Sequence, residues 1–464
     1  MKKTTKFLLS MVICALLSSW ACRLSSDILP SSGDGETNQT LEIEVSEKQP
    51  FPSPEIGAGA IPTGVLNPES IVYLGLFRLP EDPSWDYSGH GMTFYPEGDS
   101  GGDADGFSGS LFIVGHDQQL MVAEVSIPQP VTSKNIEELN TAETLQSFHD
   151  ISGGNITNDL AIPRMGIEYL PSIDGLDEGK LYFTIGQHIQ DFEPSHGWAS
   201  LDLSNPETEG LWFFDGFTNY ATNDYLLEIP EDWADTYAPG YNLACGRFRE
   251  GVWSGMGSAL FAFSPLADGN LPDKGSTLSA IIPLLLFGEQ FEGIPEIVTD
   301  DSMRMDGYAE SDHWWGGAWL TSEAGDAVIF TGTKALGESW YGFANGVVWN
   351  YACADDHNIE CPDVPDFPYD NRGFWADEYM PAILFFNPDD LAAVAQGSAE
   401  PYEPQPYALM DLTEYWLDPE TNIEIYKRDL VGSAAFDRTN GILYSIERLA
   451  DDYKSVVHVF QIAP

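Results

Sequence analysis

Cationic side chains are scarce in this chain. Lys and Arg number 20 against 73 Asp and Glu, a formal net charge of −53 over 464 residues. That balance excludes nucleic acid and anionic membrane surfaces as partners, since both repel a polyanion. It fits a secreted protein of a salty habitat, where ions screen the self-repulsion. Long apolar runs are also missing. Beyond the N-terminus no stretch is apolar enough to span a bilayer. Amphipathic helices are hard to find, the longest helix-like stretch being residues 389–396. No Gly-x-Ser-x-Gly, phosphate-binding loop or dinucleotide fingerprint occurs, so hydrolase triads and nucleotide cofactors have no support.

Cysteine is sparse, with five residues. Cys14 and Cys22 lie in an N-terminal export signal. There, Lys2, Lys3 and Lys6 precede a short apolar segment, residues 7–17. Residues 1–22 read as a signal peptide and Cys22 as a lipidation site of lipoprotein type, with free secretion as the alternative. The protein is expected to be exported, as an outer-membrane lipoprotein or a periplasmic or extracellular protein. Residues 23–65, rich in Ser, Pro, Gly, Thr and Glu, read as a flexible tether. Cys353 and Cys361 bracket a polar loop. In an exported protein that spacing predicts a disulfide, with a zinc site using His357 as the alternative. Cys245, inside an apolar strand, is read as a buried thiol.

What the chain does contain is short apolar strands. Hydrophobic residues make up 43 % and aromatics 12 %, and 44 Gly and 31 Pro are dispersed between strand-like runs. The runs fall into groups of four. The first comprises residues 91–96, 111–114, 121–128 and 144–148. The second comprises 166–171, 181–185, 199–204 and 211–214. The third comprises 225–230, 242–245, 259–265 and 281–287. The fourth, 317–320, 328–331, 383–388 and 407–412, is interrupted by an aromatic insertion at 336–379. The fifth, 432–436, 442–445 and 456–462, lacks a fourth strand, while residues 71–77 are left over at the start. This predicts an all-β fold: a single β-propeller over residues 66–464, most simply with five blades, whose N-terminal strand closes the last blade. Six or seven blades remain open if the insertion hides strands.

In each repeat the second strand runs into a turn and then an ionisable side chain. Examples are Ser110-Leu-Phe-Ile-Val-Gly-His116 and Ala327-Val-Ile-Phe-Thr-Gly-Thr-Lys334. Repeat equivalence puts His116, His188, Arg247, Lys334 and Arg448 on one face. Segments leading into the first strands add His90, Arg164, Asp224, His313 and Asp429 to that face. A basic cluster in so acidic a chain points to an anionic ligand. One chemistry that uses Arg and His on an anion is β-elimination from a uronate polysaccharide. Neutralising the carboxylate acidifies the C5 proton, which a base removes while an acid protonates the leaving oxygen. The candidate catalytic residues are His90, His116, Arg164, His188 and Arg247, with Tyr182, Tyr220 and Tyr241 as alternatives. The candidate substrate-binding residues are His196, Trp198, Arg249, Trp253, His313, Trp314, Trp315, Lys334 and Arg448.

Other readings compete. His90, His116 and His188, with His313, could hold a divalent metal from different blades. Asp99, Asp103 and Asp105 alternate with turn glycines and could bind calcium, though an acidic turn explains them too. Glycoside hydrolysis would use a carboxylate pair drawn from Asp224, Asp312, Asp429, Glu168 and Glu228. A non-catalytic glycan-binding propeller needs only the aromatic platforms.

The segments Ser108-Gly-Ser-Leu-Phe-Ile-Val-Gly-His-Asp117, Val122-Ala-Glu-Val-Ser-Ile-Pro128, Gly186-Gln-His188 through Trp198 and Ile383-Leu-Phe-Phe-Asn-Pro-Asp-Asp-Leu391 resemble a group of exported bacterial propeller proteins of unassigned function. The architecture is also loosely similar to secreted propeller polysaccharide lyases, including those acting on ulvan, which use His, Tyr and Arg on the axial face. The resemblance implies an anionic polysaccharide or oligosaccharide as partner. The chain is expected to be a monomer, held at most by a lipid anchor.

Overall fold

The computed structural model describes residues 49–50, 56–57 and 59–462, apart from 100, 103–106, 158–159, 174–175, 250, 267–268, 351, 356–358 and 418–423. The expected signal peptide and Cys22 lie outside the described residues, as does most of the tether. The chain folds as a five-bladed β-propeller. The inner strands Met92–Tyr95, Arg164–Leu170, Tyr225–Glu228, His313–Leu320 and Val431–Asp437 each pack against the inner strands of both neighbours, closing a ring. In every blade the second strand runs antiparallel to the inner one.

The sequence builds this ring because its second and third strands are apolar on both faces. A blade is covered on each side by another blade, so alternation sends successive residues into two different cores. Leu111 and Ile113 enter the core shared by blades 5 and 1. Their neighbours Phe112 and Val114 enter the core shared by blades 1 and 2. Tyr182 likewise faces blade 3, while Leu181 and Phe183 face blade 1. Further cores lie between blades 3 and 4 and between blades 4 and 5.

The first strand, Ile71–Arg78, is the outermost strand of blade 5, where it pairs antiparallel with Lys454–Ile462, as the leftover run predicts. A buried hydrogen-bonded chain ties this closure. Tyr73 Oη lies 3.0 Å from His458 Nδ1, and His458 Nε2 lies 2.8 Å from Glu447 Oε2. The Trp416 ring stacks on His458 at 4.2 Å. Gly75, at φ 127°, sits at a bulge against Val131, whose backbone a Cβ there would meet at 2.6 Å.

The insertion hides no sixth blade. Much of it prolongs the middle hairpin of blade 4, whose strands run Ala327–Phe343 and Arg372–Phe386. Cys353 and Cys361 form the expected disulfide, with Cα atoms 5.1 Å apart. That bond consumes both thiols of the alternative zinc set, and His357 lies outside the described residues. Cys245 is a buried free thiol. The end of the tether departs from expectation. Gln49–Pro50 pairs with Ser339 and Glu338 on the prolonged hairpin, whose outer reach offers an unpaired edge. No helix among the described residues is long and apolar enough to cross a membrane. The helix-like run is a helix, Pro388–Ala395, capped by Asn387, whose Oδ1 accepts from Asp389 N.

Candidate functional site at the mouth of the propeller axis

In an antiparallel blade the approach to the first strand and the turn between the second and third share one face, here called the mouth. At its centre stands Trp315. Strand alternation sends Trp314 into the core between blades 3 and 4, while His313 and Trp315 point the other way. The ladder slips between Trp314 and Gly316, a bulge of the kind that re-aims a side chain. Four blades converge on the Trp315 ring. His90 of blade 1 is 4.7 Å from it and His313 of blade 4 is 5.4 Å. The guanidinium carbons of Arg164 (blade 2) and Arg249 (blade 3) lie 4.9 and 5.9 Å from its centroid. Arg448 of blade 5 completes the ring, donating to the backbone oxygens of Ser88, Asp429 and Tyr87.

These groups are buried, and among the described residues three of them, Arg164, Arg448 and His90, form no ion pair. Among the described residues Arg164 makes a single hydrogen bond, from Nη1 to Pro163 O, and no ion pair. Among the described residues Arg448 bonds only neutral carbonyls. Neither ring nitrogen of His90 has a hydrogen-bond partner, at 1 % exposure. Burial, reinforced by Arg249, pulls the Arg164 pKa down to about 9. Burial, then the fields of Arg164 and Arg448, hold His90 well below the usual imidazole range, so it is neutral. Asp429 accepts from or shares a proton with His313 Nδ1 at 2.7 Å. Burial alone would raise the Asp429 carboxyl, but His313 and Arg428 outweigh it and hold it below the ordinary range.

The remaining candidates separate into rim, scaffold and core. His188 is on the rim, 3.1 Å from Arg249 Nη1 and stacked on the exposed Trp253 at 5.6 Å. His116 is also on the rim, with Nδ1 accepting from Gln118 N and its ring edge-on to Tyr87. Arg247 is a scaffold residue: its Nε pairs with Asp224 at 3.1 Å, Nη1 bonds Asn223 Oδ1, and its guanidinium lies over Tyr220 at 3.8 Å. Lys334 is likewise committed, at 2.6 Å from the buried Asp312. His196, Trp198 and Trp314 are corrections. All three are core residues, because their strands are covered on both faces. His196 stacks on Phe214, and burial takes its pKa down to about 3. Tyr182 is core as well, and Tyr241 packs beside the core of blades 3 and 4.

The histidines of the metal set each meet an aromatic ring. His90, His116 and His188 face Trp315, Tyr87 and Trp253 respectively, and among the described residues no three His, Cys, Asp or Glu are grouped to hold a metal ion. Of the calcium loop, Asp99 Oδ1 accepts from Gly101 N in an ordinary turn, and Asp103 and Asp105 lie outside the described residues. Sequence reasoning missed the aromatic group Tyr87, Tyr426 and Tyr453. The signal was present, since Tyr453 occupies the same second-to-third turn in blade 5 that supplied the other candidates.

The carboxylates available for hydrolysis do not open on the mouth as a pair: Asp224, Asp312 and Asp429 each face a cation or His313. Glu168 and Glu228 lie farther along their inner strands, where Arg438 Nη2 is 3.2 Å from Glu228 Oε2. Burial, then Glu228, raises the Glu168 carboxyl well above the usual range. A raised folded pKa means the folded state binds more protons than the unfolded one. Stability is therefore fully present below the unfolded value and is lost as pH rises through the folded one. We expect Glu168→Gln to match the parent's melting temperature near pH 4 and to exceed it by a few degrees at pH 8. Parallel melting curves with no pH divergence would contradict this.

No known family model matches this chain, and no curated protein is significantly similar to it.

Proposed function

We propose that this protein is an exported polysaccharide lyase that cleaves a uronate-containing anionic polysaccharide by β-elimination at the mouth. The observation that carries the reading is the buried trio Arg164, Arg448 and His90: among the described residues, two guanidiniums bonded only to backbone carbonyls and an imidazole without a hydrogen bond, in a chain of net charge −53. Buried charges are costly unless paired, so such an arrangement is what a bound anion would complete. The disulfide agrees with an oxidising compartment.

In this reading Arg164 and Arg448 take the uronate carboxylate and neutralise it, which acidifies C5–H. His90, already neutral, takes the C5 proton. Its basicity rises when the substrate carboxylate offsets the arginine field that depresses it. The C5–H electrons form the C4=C5 double bond, and the C4–O4 bond breaks with its pair on oxygen. His313, oriented by Asp429, supplies the proton to that oxygen. The products are a new reducing-end saccharide and an unsaturated uronate.

The test is ultraviolet absorbance of the unsaturated uronate during incubation with a panel of uronate polymers, with and without chelator. We expect a rising signal that survives chelation and is lost in His90→Ala, while that variant still binds polymer. New reducing ends without absorbance would favour hydrolysis. Binding with neither signal would leave a non-catalytic glycan-binding propeller.

A further inference from the structure

The mouth is flanked by two aromatic patches, on opposite sides of the axis. One lies at blades 2 and 3. Trp253, 42 % exposed, stacks with His188 at 5.6 Å and meets Tyr220 edge-on at 5.2 Å. The other lies at blades 5 and 1. Tyr453, 51 % exposed, packs 5.3 Å from Tyr87, which in turn lies 6.4 Å from Tyr426. In a five-membered ring the junction of blades 5 and 1 faces blade 3, so the patches oppose each other across Trp315. Each is also wired to the basic centre. His188 Nδ1 is 3.1 Å from Arg249 Nη1, and Tyr87 O accepts from Arg448 Nη2 at 3.3 Å.

We infer that these patches are the two ends of one track, which binds a polyuronate chain lengthwise across the propeller face, with sugar rings on Trp253 and on Tyr453 and a central uronate at the arginines. The inference rests on the anion reading of the mouth and adds to it: the ligand is a polymer segment with residues on both sides of the central sugar, and cleavage is internal. Apolar sugar faces suit exposed aromatic rings, whose stacking needs no charge. The rest of the surface is acidic and repels a polyanion, so an anionic chain is held only where arginines interrupt that field.

Titration calorimetry with uronate mono-, di-, tetra- and hexasaccharides tests this, on a chelator-treated protein carrying His90→Ala so that no turnover intervenes. Affinity should rise at least tenfold from mono- to tetrasaccharide. Trp253→Ala and Tyr453→Ala should each lower tetrasaccharide affinity roughly threefold to tenfold. Neither should change monosaccharide binding, and their effects should add. Because both side chains are exposed, neither change opens the core. Affinity independent of length, or unchanged in both variants, would overturn the track while leaving the anion reading intact. Absence of binding at every length would overturn the anion reading itself. Equal affinity for a polyglutamate peptide of matching length, with the same dependence on Trp253, would overturn the saccharide assignment.

Discussion

Arg164→Ala is expected to lose at least a hundredfold in kcat/KM on a uronate polymer, about 2.7 kcal/mol of transition-state stabilisation, and to melt no lower than the parent. The two halves of this result have one cause. Among the described residues Arg164 has a single hydrogen bond, to the carbonyl of its own neighbour Pro163, a ring contact with Trp315 and no ion pair. Its removal therefore takes a desolvated, unpaired cation out of the fold, which relieves strain in the empty protein. The same removal leaves a bound carboxylate without its partner. Arg164→Lys should recover part of the activity, because it restores charge without the planar fork. Steady-state kinetics paired with a melting curve checks both. Lost activity together with a large fall in stability would mean that Arg164 is a scaffold residue like Arg247.

Lys334→Met is expected to do the reverse, costing about 3 to 5 kcal/mol of stability. Lys334 Nζ is 2.6 Å from Asp312 Oδ1, and that oxygen also accepts from Ala335 N at 2.8 Å. Both side chains are buried. Removing the ammonium strands a carboxylate in a low-dielectric interior, where it must either stay charged without a partner or take up a proton. Burial already raises the Asp312 carboxyl despite Lys334, and the variant raises it further. With a raised folded pKa the penalty grows as pH climbs above the unfolded carboxylate range and fades below it. Denaturant midpoints should therefore differ strongly at pH 7 and much less near pH 4, and Lys334→Met with Asp312→Asn should recover most of the loss. A single variant as stable as the parent at pH 7 would show that the pair contributes nothing.

These two residues also mark where sequence reading succeeds and where it stops. Both stood out in the sequence as cations expected on one face, and both are buried, Lys334 within the strand Ala327–Phe343. Only one keeps a charge to offer. Lys334 meets a carboxylate 22 residues earlier in the chain, and Arg247 one 23 residues earlier, in each case immediately before the strand beside it. Whether such partners meet depends on ångström-scale register, which an apolar pattern does not encode. The pair Trp314 and Trp315 makes the same point. Period-two alternation says that they face opposite ways, but not which of them is covered by blade 3 and which stands at the axis.

The architecture was legible in the amino-acid sequence: five groups of short apolar strands, an orphan first strand completing a three-stranded last group, and the disulfide across the polar loop. Those features follow from local periodicity and turn spacing, and the residues carrying them are neighbours in the chain. Repeat equivalence, a property of spacing, also grouped His90, Arg164 and His313, which meet around Trp315. Which of the candidate side chains are neutralised by acids, which are sealed in the cores between blades, and which remain as a desolvated basic cluster round Trp315 is settled by packing. Charge pairing and burial depend on distances between different blades, and those are set only when the ring closes.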